Sequence, residues 1–174
     1  MNEIRRATPT DAGEILAVYQ SAAAQGGGLL RREHEVTADY VGRNLTNSLS
    51  RGVSLVAVRD GDIVGEIHGW APALRQLRHV LGDVTVALDP QAQGRGLGRR
   101  LFEAFIATVR RDLPHIAIIE LFCREDNARA IALYRSLGFI EQGRLTNRVG
   151  LDDGTYIDDL IMALPLKPRL SRPG

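Results

Sequence analysis

The apolar positions of this 174-residue chain follow a helical period first, then a strand period, and then alternate between the two. Asn2 to Thr8 is a short strand candidate. Thr10 then stands as the cap of a helical pattern, with Glu14 in its first turns and Ile15, Leu16 and Tyr19 on one stripe. Gly26 to Gly28 end it. A second helical stretch runs from Thr37 to Leu49, where Tyr40, Val41, Leu45 and Leu49 keep the period.

From Val53 the period becomes two. Ser54 to Arg59 and Ile63 to Trp70 read as strands joined through Asp60-Gly61-Asp62, a hairpin signal. A polar connection, Ala71 to Leu81, carries Arg75, Arg78 and His79 and opens onto a strand from Asp83 to Leu88, which Asp89 and Pro90 stop. The glycine-rich turn Gln93 to Gly98 follows. A helix then spans Leu97 to Arg111, its apolar stripe made by Leu97, Leu101, Phe102, Phe105, Ile106 and Val109. Ile116 to Phe122 is almost wholly apolar, as in a strand buried on both faces beside a crossover helix. Asn127 to Leu137 is a further helix, closed by Gly138. Phe139 to Val149 and Thr155 to Leu164 are two more strands around Asp152-Asp153-Gly154. The reading is α/β: one domain over 1–165 and a flexible tail over 166–174, where Pro168 and Pro173 fall, with no internal repeat.

Composition narrows the function without naming it. Hydrophobic residues make up 44% and charged residues 25%, as in ordinary globular chains. The net charge of +1 provides no basic field for nucleic acid. Lys167 is the only lysine among 22 basic residues, an arginine excess that fits either a biased genome or bidentate anion contacts. One cysteine, Cys123, excludes an internal disulfide and any multi-cysteine metal site, and no metal is expected. No export signal and no apolar run of membrane-spanning length is visible, so the expected location is the cytoplasm, with no membrane partner.

The turn at Gly94, Gly96 and Gly98 alternates glycines directly between a strand and a helix. Backbone N–H groups and the positive end of a helix dipole converge there, which makes an anion site with phosphate as its usual occupant. Glycine allows close approach and adopts the positive φ that such a turn demands. A nucleoside-triphosphate loop fails because Gly98-Arg99-Arg100 replaces Gly-Lys-Ser/Thr, and a dinucleotide fingerprint fails because the third glycine comes one residue early. A tight turn without a ligand remains as the plain alternative.

Gln93-Gly94-Arg95-Gly96-Leu97-Gly98 resembles the Q/R-x-x-G-x-G/A pyrophosphate motif of the GCN5-related N-acetyltransferases, with Pro90 three residues before it. Asn127-Ala128-Arg129-Ala130, Leu133-Tyr134 and Gly138-Phe139 match a second element of that family in the right order. The resemblance covers residues 3 to 164. It implies a mostly antiparallel sheet with a central, splayed parallel pair and flanking helices. It also implies acetyl-coenzyme A as co-substrate, its pyrophosphate on Gln93, Gly94, Arg95, Gly96, Gly98 and Arg99, and its pantetheine arm along Val86, Leu88 and Asn127. Asn127 serves equally as a plain helix cap. Tyr134 is implied as the general acid to the departing thiolate, or else as a core aromatic.

An amine must be neutral to attack a thioester, so a base or a relay water is needed. Asp83, at the start of the strand before the turn, is the first candidate and Glu66 the second; either reads equally as a solvated strand residue. His79, Trp70 and Tyr156 are candidate substrate contacts, each with a bland alternative on the surface or in the core. Cys123 has no context that lowers its pKa, which favours direct transfer in a ternary complex over an acetyl-cysteine. The run from Gly143 to Met162, with Asp153-Gly154-Thr155-Tyr156-Ile157-Asp158, resembles a bacterial subgroup that acetylates amino acids or similar small amines. That subgroup implies a homodimer. Three rivals are a coenzyme A-binding sensor without turnover, an enzyme acting on a protein amino terminus, and one acting on an antibiotic-like amine.

Overall fold

The computed structural model of the chain describes residues 3–26 and 28–168. Met1, Asn2, Gly27 and 169–174, most of the expected tail, lie outside the described residues. Seven strands form one sheet: β1 (Glu3–Arg6), β2 (Gly52–Arg59), β3 (Asp62–Trp70), β4 (Val80–Leu88), β5 (Ile118–Arg124), β6 (Ile140–Gly150) and β7 (Tyr156–Pro165). Their order is β1-β2-β3-β4-β5-β7-β6. Every pairing is antiparallel except β4 with β5. The helices are α1 (Ala12–Gln25), α2 (Ala38–Arg51), α3 (Leu97–Asp112) and α4 (Ala128–Ser136). This is the mixed sheet with a central parallel pair that the resemblance implied.

Alternation along β2 shows how the sheet divides two cores. Val53, Leu55 and Ala57 pack into the cluster that holds α3 and α4, while Val56 and Val58 pack with α1 and α2. Helices therefore cover both faces, and β2 is apolar almost throughout because it is buried on both. Among the described residues no helix is long and apolar enough to cross a membrane.

Two departures from the sequence reading bear on the site. The first helix starts at Ala12 rather than at a Thr10 cap, after a short turn at Pro9–Asp11. There the Asp11 carboxylate accepts from the Thr8 amide (2.7 Å) and is held by Arg5 (2.8 Å), so the acid closes the turn that the threonine was expected to cap. β4 starts at Val80, not Asp83, because the β3–β4 register shifts between His68 and Trp70: Thr85 lies opposite His68 and Gly82 opposite Trp70. Asp83 is the extra residue and takes φ of 50°. Such a bulge breaks the regular pairing and re-aims the strand.

The parallel pair is short. Only Val80 with Ile118 and Leu81 with Ile119 are in register, and His79 O closes the pair by accepting from the Ala117 amide (2.8 Å). Beyond Leu81 the strands part, and the gap between them is the start of the site.

Candidate active site

The gap is floored by β4, walled by the turn and first residues of α3, and closed by α4 and the end of α1. Its volume is about 480 Å³. Gly94 and Gly96 have φ of 78° and 75°, and a Cβ on either would meet nothing within 4 Å. Glycine is therefore required by the left-handed backbone, and the space beside it is left open. Gly98 differs: its Cβ would meet Leu88 Cδ1 at 3.3 Å, so it sets the close packing of α3 on β4. The first amide of α3 bonded into the helix is that of Arg100, to Gly96 O at 3.1 Å. The amides before it have no helical partner and, with the helix dipole, form an anion cradle.

Gln93, Gly94, Gly96, Gly98, Arg99, Val86, Leu88, Asn127 and Tyr134 all line this cleft. The Arg99 guanidinium is positioned by Ser136 Oγ, which accepts from Nη2 at 2.6 Å. Asn127 is the helix cap, its Oδ1 accepting from the Ala130 amide at 3.1 Å at the start of α4, and the residue also borders the cleft. The Arg95 side chain is exposed and does not border the cleft, which leaves its backbone amide as the group that the turn could offer there.

Tyr134 sits on α4 with 8% of its surface exposed, its ring edge-on to Phe102 at 5.2 Å and tilted to Phe139 at 5.8 Å. Burial pushes its phenol pKa well above the usual value. The hydroxyl therefore stays protonated at neutral pH, as a proton donor must. Cys123, behind it on β5, is pushed up to about 11 by burial and then by the charge of Asp159. A thiol in that state is not a nucleophile at neutral pH.

A second cavity of about 800 Å³ opens on the other side of Tyr134, which also forms part of its wall. Trp70 and Asp83 line it, Asp83 exposed at the bulge. His79 and Tyr156 do not. His79 is exposed at the closed end of the β4–β5 pair, and Tyr156, 64% exposed, lies at the tip of the β6–β7 hairpin. Arg75 and Arg78 are exposed on the connection and border neither cavity. Glu66 is not a solvated strand residue: it is 1% exposed and lies under the cavity floor, hydrogen-bonded to Tyr19, Ser54 and His68.

The charges that do face the cavity are Arg31, Arg43, Arg148 and Glu35, together with Asp83. Arg31 lies 4.1 Å over the Tyr40 ring and Arg148 4.5 Å over that of Phe122. The sequence reading also passed over His68, although a signal was present. Glu66, His68 and Trp70 alternate along β3 and so share a face, and two of the three were singled out.

A cleft with unpaired helix amides, a buried phenol and a second cavity beyond it defines a two-substrate transferase of the splayed-sheet class. Comparison with known proteins agrees. Residues 15–139 match the model of the acetyltransferase (GNAT) family, and the chain belongs to that family. Over 81 residues it is 43% identical to the ribosomal protein bS18-alanine N-acetyltransferase of Escherichia coli K12, covering 47% of this chain and 53% of that protein. The match thus spans about half the length of that relative. The crystal structure of a ribosomal-protein-alanine N-acetyltransferase from Brucella melitensis superimposes with a TM-score of 0.81 at 30% identity, over 94% of this chain and 99% of that one. A putative acetyltransferase from Salmonella typhimurium, solved with its cofactor acetyl-CoA, gives 0.84 at 24% identity, over 99% and 98%, and so shares the fold.

Proposed function

We propose that the chain is an acetyl-CoA-dependent N-acetyltransferase acting on the primary amine of a small molecule, with amino acids as the first class to test. One observation carries this reading: a single buried phenol, Tyr134, belongs to the walls of both cavities, where the two substrates would meet. The acetyl-CoA pyrophosphate would rest on the amides of the 93–99 turn and the Arg99 guanidinium, and its pantetheine arm along Val86, Leu88 and Asn127. When bound it supplies an activated acyl carbon and a sulfur leaving group. Tyr134 gives that sulfur its proton. Cys123, a protonated thiol, takes no part, so transfer is direct.

Two features of the acceptor cavity support a small acceptor with a carboxylate: its arginines outnumber its acids, and aromatic rings wall it. A second reading has the relatives' printed names behind it: an alanine-bearing protein amino terminus as acceptor. A homodimer and a cytoplasmic location belong to the same proposal, the first tested by light scattering. The deciding experiment is a thiol-release screen with acetyl-CoA over the free amino acids and an alanine-terminated peptide. Turnover of an amino acid supports the proposal and turnover of the peptide alone moves the acceptor to protein. Acetyl-CoA binding without any turnover leaves the sensor reading.

A further inference from the structure

We propose that His68, backed by Glu66, is the base that deprotonates the acceptor amine; this rests on the acetyltransferase reading above. His68 lines the acceptor cavity from β3, its ring stacked on Trp70 (5.4 Å, 17°) and nearly parallel to that of Tyr19 (6.1 Å, 23°). The stack on Trp70 orients the imidazole plane and leaves the ring's edges for chemistry.

The hydrogen bonds assign the proton. The Glu66 carboxylate is buried, which is costly unless donors surround it. Ser54 Oγ donates to Oε1 at 2.6 Å and Tyr19 OH to Oε2 at 2.7 Å. His68 Nδ1 is 3.0 Å from the same Oε2. Tyr19 has one proton and gives it to Glu66. Burial, with the Glu66 charge, raises the Tyr19 pKa well above its usual value, so that proton stays. A carboxylate offers only lone pairs, and Nδ1 can therefore approach it favourably only as N–H. That fixes the tautomer: Nε2, on the opposite edge of the ring, carries the lone pair and makes no hydrogen bond among the described residues. An imidazolium formed there faces the Glu66 carboxylate across a buried contact, the orienting arrangement of a base held by a carboxylate.

An ammonium acceptor has three N–H bonds and the amide product keeps one. Nε2 takes the first proton and returns it to solvent. The freed lone pair forms the N–C bond to the acetyl carbon as the C–S bond breaks toward sulfur. The second proton leaves nitrogen and replaces the one that Tyr134 gives to sulfur. One proton is released per turnover and the side chains end unchanged. Glu66 and Tyr19 are positioning residues, since they act through His68. Asp83 and Glu35 also face the cavity, as do Arg31, Arg43 and Arg148, so the pH profile is read against variants rather than alone.

The first test needs no acceptor. Imidazole ¹⁵N NMR of the full chain, with His68→Gln to assign the signal, should show the Nδ1–H tautomer of His68 at pH 8. An Nε2–H tautomer overturns the proposal. The second uses the fastest acceptor of the amine screen. His68→Gln should lower kcat about 10²-fold or more and remove the acid limb of the rate–pH profile, with acetyl-CoA affinity by titration calorimetry unchanged. Glu66→Gln keeps the contact but not the charge, and should move that limb to lower pH. Unchanged kcat and limb in His68→Gln, or a limb abolished by Asp83→Asn instead, overturns the assignment. Should His68→Gln fail to bind acetyl-CoA, the tautomer and Glu66→Gln decide. If the unmutated protein acetylates nothing, the acetyltransferase reading falls while the tautomer still reports on the dyad.

Discussion

The coenzyme cleft and the acceptor cavity share Gly28, Leu29, Val86 and Tyr134, and of these only Tyr134 carries a group that can give up a proton. The cleft's turn and cap come from two short runs of sequence, 93–99 and 127–134, with β4 as its floor and the end of α1 and the residues just after it as its far wall. The cavity is built from side chains contributed by elements as far apart as Tyr19 on α1 and Arg148 on β6. A ligand gripped through amides and a helix dipole is indifferent to most side-chain changes around it. A ligand gripped by side chains on seven elements is not. Acceptor choice can therefore change on this scaffold while the coenzyme grip stays as it is.

The shared phenol offers the sharpest break between the two regions. Tyr134→Phe keeps the ring contacts with Phe102 and Phe139 and removes only the hydroxyl. We expect kcat to fall about 10²- to 10³-fold with acetyl-CoA affinity nearly unchanged, read by steady-state kinetics and calorimetry. An equal loss of affinity would make the phenol part of the grip instead. Next in size is Gly96→Val. A β-branched residue at φ of 75° is strained by about 1 to 2 kcal/mol, so the free turn should relax away from that backbone, and regaining it on binding should weaken acetyl-CoA affinity about 5- to 30-fold. Unchanged affinity would show that the turn does not hold the coenzyme.

The same contrast explains what the sequence could tell. The cleft was legible because the residues that make it are neighbours in the chain: glycines at alternate positions report a backbone conformation, and Asn127 and Tyr134 lie on one short helix. The hairpin and the amphipathic stripe of α3 were legible for the same reason. The cavity was not, because no local pattern says that Arg43 on α2 and Arg148 on β6 face one space while Arg75 and Arg78 do not. Nor does composition reveal the bulge that displaces the start of β4, since Asp83 takes a left-handed backbone where glycine would have signalled one. Glu66 looked like any strand carboxylate until Tyr19, 47 residues earlier, was folded onto it.

Arg43→Ala tests the side-chain half. Its guanidinium is exposed at the cavity, where a single charge contact is worth at most about 1 kcal/mol. KM for an amino-acid acceptor should rise about 2- to 5-fold with acetyl-CoA affinity and kcat little changed. A rise confined to acetyl-CoA would place Arg43 in the wrong region.

The smallest expected effect separates two carboxylates within the acceptor half. Glu66 and Asp159 are each 1% exposed, but Glu66 is met by three donors while neither oxygen of Asp159 has a hydrogen-bond partner among the described residues. Its nearest cation is Arg148, with Nε at 3.7 Å and the side chain nearly half exposed. Burial raises the Asp159 pKa and Arg148 only partly opposes this. A carboxyl whose pKa is higher folded than unfolded binds protons more tightly in the native state, so stability falls as pH rises from the unfolded pKa through the folded one. Asp159→Asn removes the charge and keeps the shape. Its Tm at pH 7 should rise by about 2 to 4 °C, and the gain should vanish at pH values low enough to protonate the native carboxyl. A lower Tm would mean that Arg148 compensates the charge, and that the two buried acids are alike after all.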